Sequence, residues 1–246
     1  MPTKPKVTVE KGKPLVSSWS WSRYQIYCEC PCAFKFQFIE RKEKPAGPAM
    51  ARGREVHKTA DAYVRAPATG KGAVPKKIPD VLKNFTEEFK MLRKVKAITE
   101  DDARIGLNRS WNPVDYFDWT NCWLRVIIDA KYIKMIGKAT KRLVIIDHKT
   151  GRVYEENKEQ LDLSATAAFR AEPDVDEVEV QLWYLDQGVI LPEKPLVFGR
   201  DGNEKQVEKW NKRVYPMFTD KRFVPNPGQH CHRCHYRKAN GGPCKY

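Results

Sequence analysis

A chain of 246 residues, 41% hydrophobic and 31% charged, can bury one sizeable core with appendages, or two small ones. No stretch approaches the ~18 apolar residues of a membrane span, and the basic residues 1–14 lack the apolar centre of a secretory signal, so a soluble cytoplasmic protein with no membrane partner is the expectation. The net charge of +14 favours a polyanion, with nucleic acid first; the last 53 residues carry 12 basic and 4 acidic residues, so much of the excess is local.

In chain order, residues 1–16 read as a loose basic arm. Trp21, Tyr24, Tyr27 and Cys28 recur at three- and four-residue steps and predict a helix; Pro31 interrupts it, and Phe34 and Phe38 open a second apolar stripe. Residues 50–65 predict a helix with Val56, Ala60 and Tyr63 on one face, and 66–80 a Pro/Gly-rich surface loop. An amphipathic helix follows over 80–97, carrying Val81, Leu82, Phe85, Phe89 and Leu92. The pattern then changes to strands at 103–107, 122–131 and 142–147, the last two with short runs of β-branched residues suited to a buried sheet. A helix over 156–171, a strand over 177–185, a turn at Asp186-Gln187-Gly188 into 189–191, and a helix over 202–218 complete the elements. The expected fold is α/β, with a small central mixed sheet flanked by helices.

The chemistry lies in two strand ends. In Ile145-Ile146-Asp147-His148-Lys149-Thr150-Gly151, side chains alternate, so Asp147 and Lys149 project from one face, ~7 Å apart along the strand. The carboxylate suits a hard cation; the ammonium can orient or deprotonate water and offset phosphate charge. His148 points the other way, with its backbone carbonyl available as a metal ligand. Val126-Ile127-Ile128-Asp129 reads as a second apolar strand ending in Asp, 18 residues earlier. An antiparallel pair of such strands would put the two Asp residues at opposite edges unless a bend or crossing intervened. Two carboxylates and a lysine fit metal-assisted phosphodiester hydrolysis with Mg²⁺ or Mn²⁺.

These residues resemble the RecB-like nucleases of the PD-(D/E)XK superfamily. Gly53-Arg54-Glu55-Val56-His57 matches that family's helical Gly-x-x-x-His motif, Asp129 its strand-end Asp, and Asp147-His148-Lys149-Thr150-Gly151 its Asp/Glu-x-Lys-Thr-Gly. Gln160 matches the family's helical Gln-x-x-x-Tyr, with Ser164 in place of the tyrosine. Order and spacing agree over roughly residues 17–246. The resemblance implies a restriction-endonuclease-like core, a metal site of His57, Asp129, Asp147 and the His148 carbonyl, and catalytic roles for Asp129, Asp147, Lys149 and Gln160, with Gln160 holding the lysine, the water or the DNA backbone.

Seven cysteines, an odd number, argue against a disulfide framework, and six of them lie near the termini. Ser20-x-Ser22-x-Tyr24 followed by Cys30-Pro31 resembles the start of the iron–sulfur members, the AddB-type subunits and CRISPR-adaptation exonucleases, some of them phage-encoded and so found in a host cytoplasm. The resemblance implies a [4Fe–4S] cluster held by Cys30, Cys231, Cys234 and Cys244. Cys28 and Cys32 are rivals for the first position, and Zn²⁺ is the rival metal, because Cys231-His232-Arg233-Cys234-His235 holds zinc-ligand types. The implied organisation is an arm over 1–16, a nuclease core over 49–218, and a cluster subdomain built from 17–48 and 219–246 that joins the termini.

Trp19, Trp21, Trp111, Tyr116 and Trp119 are candidates for stacking on single-stranded DNA, although each is expected in the core. The chain has no Gly-x-x-x-x-Gly-Lys-Ser/Thr phosphate loop, so a helicase or recombination partner would be a separate protein. The expected activity is a DNA exonuclease preferring single strands or ends. A non-catalytic nucleic-acid-binding module with a structural metal, or a DNA endonuclease, is the alternative.

Overall fold

The structure is a computed structural model, described for residues 15–45, 47–153 and 157–246. The expected arm over 1–16 lies almost wholly outside these residues, as does the expected start of the helix at 156. The chain divides into two compact units: one of residues 1–44 and 211–246, the other Pro45–Trp210. No helix among the described residues is long and apolar enough to cross a membrane.

The larger unit is built on a five-stranded mixed sheet. Its strands are β1 (Ile98–Thr99), β5 (Ala130–Ile136), β6 (Thr140–Lys149), β7 (Glu177–Tyr184) and β8 (Val189–Gly199), in the order β1-β5-β6-β7-β8. All neighbours are antiparallel except β6 and β7. That parallel step is made by helix α5 (Asn157–Ala171), which links the two strands in sequence. A separate three-stranded sheet, β3-β2-β4, comprises Pro113–Val114, Arg104–Leu107 and Leu124–Ile127.

Leu143, Val144, Ile145 and Ile146 of β6 are all buried, so both faces of this central strand are covered. Val144 and Ile146 join a cluster with Val56, Ala60, Tyr63 and Val64 of helix α3 (Pro48–Arg65) and with Phe85, Phe89 and Leu92. Phe89 and Leu92 belong to α4 (Thr86–Lys94); a 3₁₀ segment, Asp80–Phe85, precedes it, so the single helix expected over 80–97 is two. The opposite face of β6 turns to α5. Leu161, Leu163, Ala165, Ala167, Ala168 and Phe169 are all buried, and α5 also meets β2. A helix covered on both sides needs small residues for close approach, which the Ala-rich sequence supplies.

The strand expected over 122–131 is instead broken. Leu124–Ile127 belongs to the small sheet, and Ala130 begins β5 of the large one. Asp129 therefore stands at the junction between two sheets and immediately before a strand, not at the end of one. This removes the difficulty of opposite edges: Ala130 pairs with Ile146, so the start of β5 lies beside the end of β6, where Asp147 stands.

In the smaller unit, helix α1 (Trp21–Glu29) is capped by Ser20, whose side chain accepts from the Arg23 N–H. Pro31 starts a short helix, α2 (Pro31–Phe34), followed by a π-helical turn, Lys35–Ile39. Phe34 and Phe223 stack with centroids 6.1 Å apart, Tyr27 meets both rings edge-on, and the Tyr27 hydroxyl donates to Asp220. Tyr236 packs on Phe36 and donates to the Lys42 carbonyl. Segments from both chain ends thus share one apolar core. The remaining helix, α6 (Asn203–Thr219), contains the division between the units.

Candidate metal and catalytic site

The period-two alternation of β6 separates its three terminal side chains. His148 turns to the α4 side, where its ring lies 5.4 Å from Phe89 and 5.9 Å from Trp183. Burial there pushes its pKa down to about 4, so the ring is neutral. Asp147 and Lys149 turn to the α5 side, where Gln160, on the first turn of that helix, meets both. Its amide Nε2 donates to Asp147 Oδ1 at 2.6 Å, and its Oε1 accepts from Lys149 Nζ at 2.7 Å. Lys149 Nζ also lies 2.7 Å from Asp147 Oδ2, closing a three-residue ring. Burial alone would lower the Lys149 pKa, but the charges of Asp147 and Asp129 raise it. It is held as an ammonium, which suits charge compensation rather than proton abstraction.

Asp129 is almost fully buried. Its Oδ2 accepts from the His148 backbone N–H at 2.6 Å, and its Oδ1 lies 3.0 Å from His57 Nδ1. Burial opposes its charge, yet these two groups hold its pKa below the ordinary value. His57 shows the converse: burial would lower its pKa, but Asp129, with Asp147 and Glu100 behind, lifts it to about 9.

Helix α3 places His57, and Gly53 one turn earlier faces the chain that follows Lys149. A Cβ at Gly53 would sit 3.5 Å from Thr150 Oγ1, so α3 runs against the chain just after Lys149. Gly151, at φ 85°, donates its N–H to Asp186, which Arg52 of α3 holds in a bidentate pair at 2.5 and 2.7 Å. The Thr-Gly after the lysine therefore locks strand end to helix.

Sequence reasoning missed Glu100. Its Oε1 lies 3.8 Å from His57 Nδ1, and its backbone N–H donates to the Asp129 carbonyl. Its φ of 29° is rare for a residue with a side chain, a local strain of the kind found at functional positions. Burial and the charge of Asp129 raise its pKa. Glu100, His57 and Asp129 offer three ligand atoms within 4.8 Å of one another. The only signal in the sequence is the acidic run Glu100-Asp101-Asp102 before β2, which reads as an ordinary solvated turn.

A second constellation lies in the smaller unit. Cys30, Cys231, Cys234 and Cys244 line one cavity together with Phe36, Pro225 and His230. Burial raises the Cys234 thiol pKa, and the nearby sulfurs of Cys30, Cys244 and Cys231 raise it further. Cys28 is exposed and is not part of the lining; Cys32 is not part of it either, although burial and the neighbouring Cys244 and Cys30 raise its thiol's pKa to about 11. His230 Nε2 is buried there with no hydrogen-bond partner among the described residues. Cys122 is in the larger unit and donates to the Leu124 carbonyl.

A profile described as the PD-(D/E)XK nuclease superfamily matches residues 18–239. The chain belongs to this superfamily, whose members are metal-dependent nucleases acting on DNA. Comparison with curated proteins returns no match. Among solved structures, the chain is similar to the crystal structure of SSO0001, at 12% identity with a TM-score of 0.38, over 98% of this chain and 90% of that one.

Proposed function

We propose that the chain is a Mg²⁺- or Mn²⁺-dependent deoxyribonuclease of the iron–sulfur exonuclease branch, acting on single-stranded DNA or DNA ends that a separate helicase or recombination protein supplies. The observation that carries the nuclease reading is the adjacency of two groups. One is the three-ligand set of His57, Glu100 and Asp129; the other is the ring of Asp147, Lys149 and Gln160, whose Asp147 charge bears on His57.

The donor set fits a divalent ion. Carboxylate oxygens suit Mg²⁺ and Mn²⁺, and one imidazole shifts the preference towards Mn²⁺. His57, Glu100, Asp129, Asp147 and the His148 carbonyl would hold it. The ion would supply polarisation of the phosphate and a lower pKa for bound water. The residues themselves do the rest. The His148 N–H fixes Asp129 in orientation. Gln160 holds Asp147 and Lys149 in register with each other. The Lys149 ammonium is placed to offset charge gathering on the phosphate oxygens.

The cluster reading is supported by four thiols around one cavity and by the buried Nε2 of His230, which can donate to a sulfur. Cys30, Cys231, Cys234 and Cys244 would hold a [4Fe–4S] cluster as a structural tie.

The test of activity uses 5′- and 3′-labelled single strands, duplexes and circles with Mg²⁺, Mn²⁺ or EDTA. Metal-dependent loss of terminal nucleotides from linear single strands is expected. Cleavage of closed circles would assign an endonuclease, and no cleavage with either ion would end the nuclease reading.

A further inference from the structure

The loop between β3 and β4 holds two of its aromatics, Phe117 and Trp119, outside the core. Trp119 is 66% exposed and Phe117 55%, whereas Trp19 and Trp111 are buried. The expectation that each large aromatic lies in the core therefore fails at Trp119. Arg125 lies over the Trp119 ring at 4.7 Å and over Tyr116 at 5.8 Å; Arg104 lies over Phe117 at 5.0 Å and Tyr116 at 5.3 Å.

The loop is braced. Asp115 accepts from the Phe117 N–H, and Asp118 from those of Thr120 and Asn121. Arg125 donates to the Tyr116 and Asp118 carbonyls. A Cβ at Gly106 would fall 2.8 Å from Tyr116 Cα, so only glycine lets the loop cross β2 this closely. Two large rings are thus presented to solvent on a fixed backbone. Apolar burial does not account for them, and little ordering entropy remains to be lost when a planar ligand docks.

Position supplies the occupant. Arg104 follows Glu100 by four residues and pairs in register with Ile127, two residues before Asp129. The aromatic loop therefore adjoins the strands that place the metal ligands. Resting on the nuclease reading, we propose that Phe117 and Trp119, backed by Arg104 and Arg125, form a stacking platform for unpaired bases of a nucleic-acid strand, holding that strand in line with the acidic site. Base stacking on aromatics is sequence-tolerant, and the guanidinium groups and the +14 charge complement the phosphates.

The test measures binding in EDTA, so that cleavage plays no part. The probes are a fluorescent oligothymidine, an abasic strand of the same length and a blunt duplex. Trp119→Ala is expected to weaken binding of the base-bearing strand by roughly tenfold. Abasic and duplex binding should change little, and Trp119→Phe should retain most of the affinity. The salt dependence should keep its slope, because no phosphate contact is lost. Phe117→Ala is a second variant with the same expected direction. Equal binding of the base-bearing strand by wild type and both alanine variants, the result expected of a patch that meets a protein, overturns the platform. So does an equal loss on the abasic strand. Wild type that cleaves with Mn²⁺ while the variants bind normally sinks the platform alone. Wild type that prefers bases through Trp119 yet never cleaves keeps the platform and sinks the nuclease reading.

Discussion

The acidic site and the cysteine cavity solve opposite problems. Around Asp129 and Asp147, the charges are paired: His57 and the His148 N–H meet one carboxylate, and Gln160 and the Lys149 ammonium the other, although Asp147 Oδ2 has no hydrogen-bond partner among the described residues. Around Cys234, burial and neighbouring sulfurs raise the thiol's pKa, and His230 Nε2 has no partner among the described residues. A site that balances its own charge can release its ion without losing its shape. On the cluster proposal, the four thiols lining the cavity would be completed only by what they bind, because thiolates need a cationic centre to stay charged together. On the proposed function, the two sites should therefore be separable: removing the divalent ion stops chemistry, and removing the cysteine-bound group loosens the fold.

The largest effect should come from the acidic site. Asp147→Asn preserves shape but removes the charge that pairs with Lys149. Cleavage rate is expected to fall by at least about a thousandfold, or ~4 kcal/mol of barrier. Affinity for DNA should persist, because phosphate contacts elsewhere dominate it. EDTA should reproduce the loss of activity with little change in melting temperature. Near-normal turnover in Asp147→Asn would end the assignment, and a large fall in melting temperature with EDTA would erase the contrast between the sites.

Next comes the cavity. Anaerobically purified protein should be brown, with about four iron per chain. Cys234→Ser should lose the iron and lower the melting temperature. Tying Cys30 to Cys231 closes a loop of about two hundred residues, worth at most ~5 kcal/mol in the chain-entropy model. Cys122→Ser should keep the iron. Colourless protein with one zinc would reassign the cavity, and iron retained in Cys234→Ser would remove that residue from the set.

A smaller effect concerns His148, whose folded pKa of about 4 lies below the ordinary 6.5. Below pH 6.5 the unfolded chain takes up a proton that the buried ring refuses. This residue's contribution to stability therefore falls as pH drops from 6.5 to 4, then levels off. The loss is at most about 3 kcal/mol. His148→Phe, packed between Phe89 and Trp183, should flatten that part of the profile in metal-free protein. Denaturant titrations at pH 7 and pH 4.5 measure it; the same slope in both proteins would refute it.

Much was legible in the sequence because it is local. The 3.6-residue periodicity in α3, the β-branched run in β6 and the alternation that sets Asp147 and Lys149 together all follow from neighbouring residues. The ordered motifs likewise named His57, Asp129 and Gln160 as candidates; His57 meets Asp129, and Gln160 meets Asp147. Trp119 was misjudged because average burial says nothing about a loop braced by Asx turns and Arg125.

What the sequence by itself indicated is the position of the long helices, the apolar centre of the sheet and the chemical types in the candidate site, though not the split of the segment over 80–97. Tertiary structure alone decided that residues 122–131 split between two sheets, which sets Asp129 beside the end of β6. It alone brought Glu100 to His57, and it set Cys30, Cys231, Cys234 and Cys244 around one cavity, with Cys32 beside Cys244. The physical reason is the same in each case. Local propensity fixes which way a side chain points along its own element, whereas pairing register and helix-on-sheet packing, contacts between distant residues, fix which elements it meets.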